Sequence, residues 1–92
     1  MSGLRIEVQP TPNPNAAKFV LDREVAARGT TYRDPAAAEP AWAHRLLAVP
    51  GVAQVFALNN FISVTKYPDA GWDGIVPQVE QILQETLSQQ GG

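Results

Sequence analysis

A chain of 92 residues, 45% apolar and 17% charged with a net charge of -2, makes one small domain with a single core, residues 1–92. That balance excludes disorder, and seven scattered cations without aromatic interleaving argue against nucleic acid or an anionic membrane as partner. The absence of cysteine excludes disulfides, a thiol nucleophile and any cysteine-ligated zinc or iron-sulfur site made by this chain alone.

Leu4, Ile6 and Val8 alternate with Arg5, Glu7 and Gln9, the period of a half-buried strand. Pro10-Thr11-Pro12-Asn13-Pro14-Asn15 follows, and each proline fixes its own φ and pushes its predecessor toward extended geometry. Asn13 and Asn15 can each bond the backbone two residues on, so this loop is shaped and stiff. Lys18 to Leu21 reads as a second strand. Asp22-Arg23-Glu24 interrupts it, and the segment up to Gly29 fits either a bent continuation or a short extra strand. Asp34-Pro35 and Glu39-Pro40 both carry helix-start signals, and a helix is expected from near Pro40. Its stripe is Trp42, Ala43, Leu46, Leu47 and Val49, and Pro50-Gly51 ends it.

Val52 to Leu58 and Phe61 to Tyr67 are two β-rich runs separated by Asn59-Asn60, a pair that fits a type I′ hairpin turn. That register pairs Leu58 with Phe61, Phe56 with Ser63 and Val55 with Val64. One face then carries Ala53, Val55, Ala57, Ile62 and Val64; the other carries Gln54, Phe56, Leu58, Phe61, Ser63 and Thr65. A last helix is expected from near Asp69 or Asp73, with Trp72, Ile75, Val76, Val79, Ile82, Leu83 and Leu87 on one stripe and Pro77 in the first turn or so. Gln89 to Gly92 should fray. The predicted fold is α+β, a two-layer sandwich with a mainly antiparallel four-stranded sheet and both helices on one face, in the order β-β-α-β-β-α.

Candidate chemistry is sparse. His44 is the one histidine, has no second ligand one helical turn away, and reads as a surface residue of a helix. No serine sits in a nucleophile elbow, and no glycine-rich loop follows a strand. Neither catalysis nor a metal site is expected. The N-terminal residues hold no apolar leader core and no run reaches spanning length, so a cytoplasmic protein without membrane contact is expected. Two helices can cover only one face of so small a sheet, which leaves Phe56, Leu58 and Phe61 either as an exposed apolar patch or beneath the loop around Asn13 or the segment after Asp22. The partner-binding candidates are therefore Phe56, Leu58 and Phe61, flanked by Asn13, Pro14, Asn15 and Lys18 on one side and Thr65 and Lys66 on the other.

Thr11-Pro12-Asn13-Pro14-Asn15 with Lys18-Phe19, then Leu46-Leu47-Ala48-Val49-Pro50-Gly51-Val52, Val55-Phe56, Asn60-Phe61-Ile62-Ser63-Val64-Thr65-Lys66, Trp72 and Pro77 resemble the N-terminal domain of the Nfu/NifU-type iron-sulfur scaffold proteins. The resemblance runs from Leu4 to Leu87, and Trp42 stands where the family usually has a smaller aliphatic residue. It implies a small α/β module, here expected as a stand-alone domain. In the family a second domain bridges a cluster through C-x-x-C cysteines and the protein delivers clusters to recipients, which is also where the association with iron binding comes from. For a chain without that domain, the resemblance implies no cofactor of its own and a monomer that acts in trans, without catalysis, on a cluster-carrying scaffold or apo-recipient protein. The alternative reading is an orphan ligand-binding or regulatory domain unrelated to iron-sulfur chemistry.

Overall fold

The computed structural model describes residues 4–38 and 40–87. Its elements are β1 (Ile6–Pro10), β2 (Ala16–Leu21), β3 (Ala26–Tyr32), a 3-10 turn (Pro35–Ala37), α1 (Ala41–Leu47), β4 (Val52–Asn59), β5 (Phe61–Lys66) and α2 (Trp72–Leu87). The strands form one sheet in the order β1-β2-β5-β4-β3, with every neighbouring pair antiparallel. The α+β sandwich is as expected, but the sheet has five strands where four were expected. The segment after Asp22 is the extra one. It crosses the tip of the β4–β5 turn, where Leu21 N donates to Asn60 O and Val25 N to Asn59 O, both at 2.7 Å, and becomes the far edge strand β3.

The hairpin pairs Leu58 with Phe61, Phe56 with Ser63 and Val55 with Val64, as the alternation predicts. Its turn is not type I′. Only Asn59 takes a positive φ, 53°, whereas that turn needs two such residues. Asn60 is instead held by β2: besides its carbonyl contact, its Nδ2 donates to Leu21 O at 3.2 Å. A register shift between Val52 and Gln54 also moves one expected residue. Val52, and not Ala53, is buried on the helix side, because the extra residue of a bulge resets the alternation.

The core lies between one sheet face and the two helices. Phe19, Val55, Ile62 and Val64 from the sheet meet Leu46, Ile75, Val79 and Leu83 from the helices, all fully buried. Trp42 is buried too and meets the Tyr32 ring edge-on at 5.6 Å and 84°, which joins β3 to α1. Asp34 caps the 3-10 turn by accepting from Ala36 N at 3.0 Å, and His44, exposed on α1, contacts Pro35 O through Nδ1 at 2.8 Å. Gly51 takes a φ of +99°, the left-handed stop that separates α1 from β4. Pro77 falls in the second turn of α2, later than expected; it removes a bond to the Asp73 carbonyl on the exposed side, where water can replace it. The predicted fraying of Gln89 to Gly92 lies outside the described residues.

Candidate functional site

Strand alternation divides the sheet into two unlike faces. Residues paired across an antiparallel ladder point the same way, so the pairs Lys18–Ser63, Val20–Phe61, Phe56–Ser63, Leu58–Phe61 and Gln54–Thr65 all stand on the side away from the helices. All of these residues are half-buried, and none belongs to the buried core cluster. The Phe56 and Phe61 rings lie 6.2 Å apart, tilted by 44°. Lys18 Nζ stands 4.4 Å from the Phe61 ring centroid, a cation-π contact at the rim of the aromatic pair. On the other flank Arg33 Nε donates to Gln54 Oε1 at 3.0 Å. Gly29 of β3 gives Phe56 its seat: a Cβ there would come within 3.0 Å of Phe56 Cζ. The segment after Asp22 thus covers an edge of Phe56, and the loop around Asn13 turns elsewhere.

That loop is locked by its own side chains. Thr11 Oγ1 accepts from Asn13 N at 3.1 Å, and its proton is shared between Asn13 O at 2.9 Å and Ala16 O at 3.0 Å. Asn13 Oδ1 accepts from Asn15 N at 2.9 Å, the local turn expected of this residue. Asn15 works at longer range: its carbonyl accepts from Lys66 N at 2.7 Å and its Oδ1 from Lys66 Nζ at 3.0 Å. Pro14 O accepts from Trp72 Nε1 at 3.1 Å, and Lys66 Nζ lies 5.8 Å from the Trp72 ring. These bonds fasten the loop to the end of β5 and the start of α2.

Of the nine candidate residues, the structure brings Lys18, Phe56, Leu58, Phe61 and Thr65 onto one face, while Asn13 and Pro14 are exposed on the loop that Trp72 fastens to the start of α2. Asn15 and Lys66 are drawn into the scaffold instead. Lys66 is 8% exposed and on the helix side, as its parity with Ile62 and Val64 requires. Sequence reasoning missed Arg33, Gln54 as its anchor, and Gly29 as the floor under Phe56. Only the Arg33 contact had a signal, since alternation beyond Tyr32 carries it to the side of Gln54.

Among the described residues, no three His, Asp or Glu side chains gather into a group that could hold a metal ion. Glu85 on α2 is held below the usual carboxylate range, first by the Gln81 amide and then by Arg45, whose Nη2 lies 2.7 Å from Glu85 Oε1. No helix among the described residues is long and apolar enough to cross a membrane.

Residues 6–90 match the family described as Scaffold protein Nfu/NifU N terminal. The chain belongs to the Nfu/NifU N-terminal family. Conserved virulence factor C of Staphylococcus aureus USA300 is 32% identical over 81 residues, which cover 87% of this chain and 22% of that protein. The chain therefore spans about a fifth of the length of the curated relatives it matches. The crystal structure of SAV1430 from Staphylococcus aureus is 33% identical with a TM-score of 0.79, covering 86% of this chain and 98% of that one. The solution structure of a NifU-like protein from Saccharomyces cerevisiae reaches a TM-score of 0.83 over 95% of this chain and 81% of that one. At 21% identity that likeness speaks for the Nfu/NifU N-terminal fold alone.

Proposed function

We propose that this chain is a non-catalytic interaction module in iron-sulfur cluster assembly or transfer. It acts in trans, as a monomer, on a cluster-carrying scaffold or an apo-recipient protein. Family membership supports the pathway, and the helix-free sheet face supports the mode of action. The observation that carries the reading is that Phe56, Leu58 and Phe61 cluster outside the core, on a face that no second layer covers among the described residues. Aromatic anchors on a rigid surface are what protein interfaces use, because their apolar area is presented with little conformational entropy to lose. The sheet supplies that rigidity: β4 and β5 are central strands, and the proline loop is bonded to both β5 and α2. The cluster is cargo that stays on the partner's thiolates, since this chain has none to offer.

The test is a titration of the isotope-labelled protein with a cluster-loaded, cysteine-bearing Nfu-type domain, followed by heteronuclear NMR. Amide shifts concentrated in β2, β4 and β5, together with faster anaerobic cluster delivery to an apo-ferredoxin, are expected. Anaerobic reconstitution of the chain alone with iron and sulfide should yield no protein-bound visible chromophore. A stoichiometric cluster on the isolated chain, or no interaction with carrier and recipient alike, would contradict the proposal.

A further inference from the structure

Charge is divided between the two layers of the fold. The strands and their connections, residues 4–33 and 52–67, hold six of the seven cations, Arg5, Lys18, Arg23, Arg28, Arg33 and Lys66, against Glu7, Asp22 and Glu24, a net of +3 by sequence; of these, Lys66 turns to the helix side and Arg23 Nη1 donates to Leu87 O at 3.2 Å, so Lys18 and Arg33 are the cations placed on the helix-free face. The described helical segments, residues 34–38, 40–51 and 68–87, hold Arg45 against Asp34, Asp69, Asp73, Glu80 and Glu85, a net of -4. A small net charge thus conceals an uneven distribution of charge, and the field of such a domain orients an approaching charged partner. On the helix-free face Lys18 and Arg33 flank the aromatic pair. The ion pairs among the described residues are Arg23–Asp22 and Arg45–Glu85, so neither flanking cation is neutralised by a carboxylate there. Glu7 shares the face, but it stands out on the edge strand β1 opposite Val20.

We infer that the helix-free sheet face docks an acidic protein surface, one on which carboxylates ring an apolar centre. Phe56, Leu58 and Phe61 take the apolar centre, and Lys18 and Arg33 pair with the surrounding carboxylates. The inference rests on the reading that this face is the docking face and adds the chemistry of what docks there. An interface built this way has an apolar core and a charged rim, in which the rim sets orientation and association rate. The division of charge also works against a wrong pose, because a partner's carboxylates are repelled from the helix layer. Single-stranded nucleic acid would share the aromatic and cationic groups, but a domain with net charge -2 and two flanking cations offers it no continuous basic track.

The experiment uses the whole chain and three probes: a synthetic peptide in which Asp and Glu alternate with Leu and Phe, the same peptide with Lys in place of the acids, and a deoxythymidine oligomer. The acidic peptide should shift amides of residues 18–20, 54–58 and 61–65 and bind more weakly as salt rises. The Lys peptide should bind at least about tenfold more weakly, and Lys18→Glu or Arg33→Glu should cost the acidic peptide about tenfold with the melting temperature held. The double reversal should favour the Lys peptide. Equal binding of the two peptides, tighter binding of the oligonucleotide, shifts confined to the helix layer, or no shift at millimolar peptide would each overturn the inference. If the acidic peptide binds as described while the cluster-loaded domain does not, the iron-sulfur reading fails and the docking chemistry stands.

Discussion

The two faces of one sheet are built from the same strands and have opposite properties. On the helix side, Phe19, Val55, Ile62 and Val64 are completely shielded and packed against α1 and α2. On the other side, Lys18, Phe56, Leu58 and Phe61 are half-buried mainly through one another and through Gly29. Alternation gives both faces apolar residues, but among the described residues only one gains a second layer. Hydrophobicity alone therefore does not separate the core from the outer face in this domain; coverage does.

The sharpest way to break the comparison is to cut equal rings from the two faces. Phe19→Ala should cost about 3–5 kcal/mol, because it removes a fully buried ring and leaves a cavity against α2 and the sheet. Chemical denaturation should show that loss, and a small effect would mean the helix face is loosely packed. Asn13→Ala comes next, at about 0.5–2 kcal/mol, because it frees the Asn15 N–H bond that sets the proline loop. A denaturant midpoint that does not move would reassign Asn13 from holding the loop to contacting a partner.

The smallest effect belongs to Glu85, partly exposed and joining α2 to α1 through Arg45. Its carboxyl titrates lower in the folded protein than in the unfolded chain, so its stabilising contribution is present above the unfolded value and fades as pH falls through the folded one. Glu85→Gln should lower the melting temperature slightly at neutral pH and not at all in acid below both values. A difference that persists in acid would point to a packing role instead.

Much of the fold was legible because its periods are unbroken. Ile62 and Val64 alternate with Phe61, Ser63 and Thr65, and the separation of the two faces follows directly. Strand β3 was not resolved because Ala27-Arg28-Gly29 sits within a register shift, which destroys the alternation a strand is recognised by. The same effect at Val52 and Gln54 misplaced Ala53. Lys66 was a different kind of miss. Its parity with Val64 was in plain view, but burying an ammonium requires partners, and these come from Asn15, 51 residues earlier, and from the Trp72 ring. Such contacts exist only once the loop, β5 and α2 have come together. The aromatic cluster of the candidate site was legible in full, whereas its floor at Gly29 and its flank at Arg33 depended on β3.

The central claim is that Phe61 serves an interface and Phe19 serves the core, and Phe61→Ser tests it most directly. Melting followed by circular dichroism and titration with the cluster-loaded Nfu-type domain should be run on the same preparation. A stability loss within about 1 kcal/mol together with a loss of partner affinity of at least tenfold is the predicted result. A collapse of the melting temperature like that of Phe19→Ala would contradict the account and place Phe61 in the core.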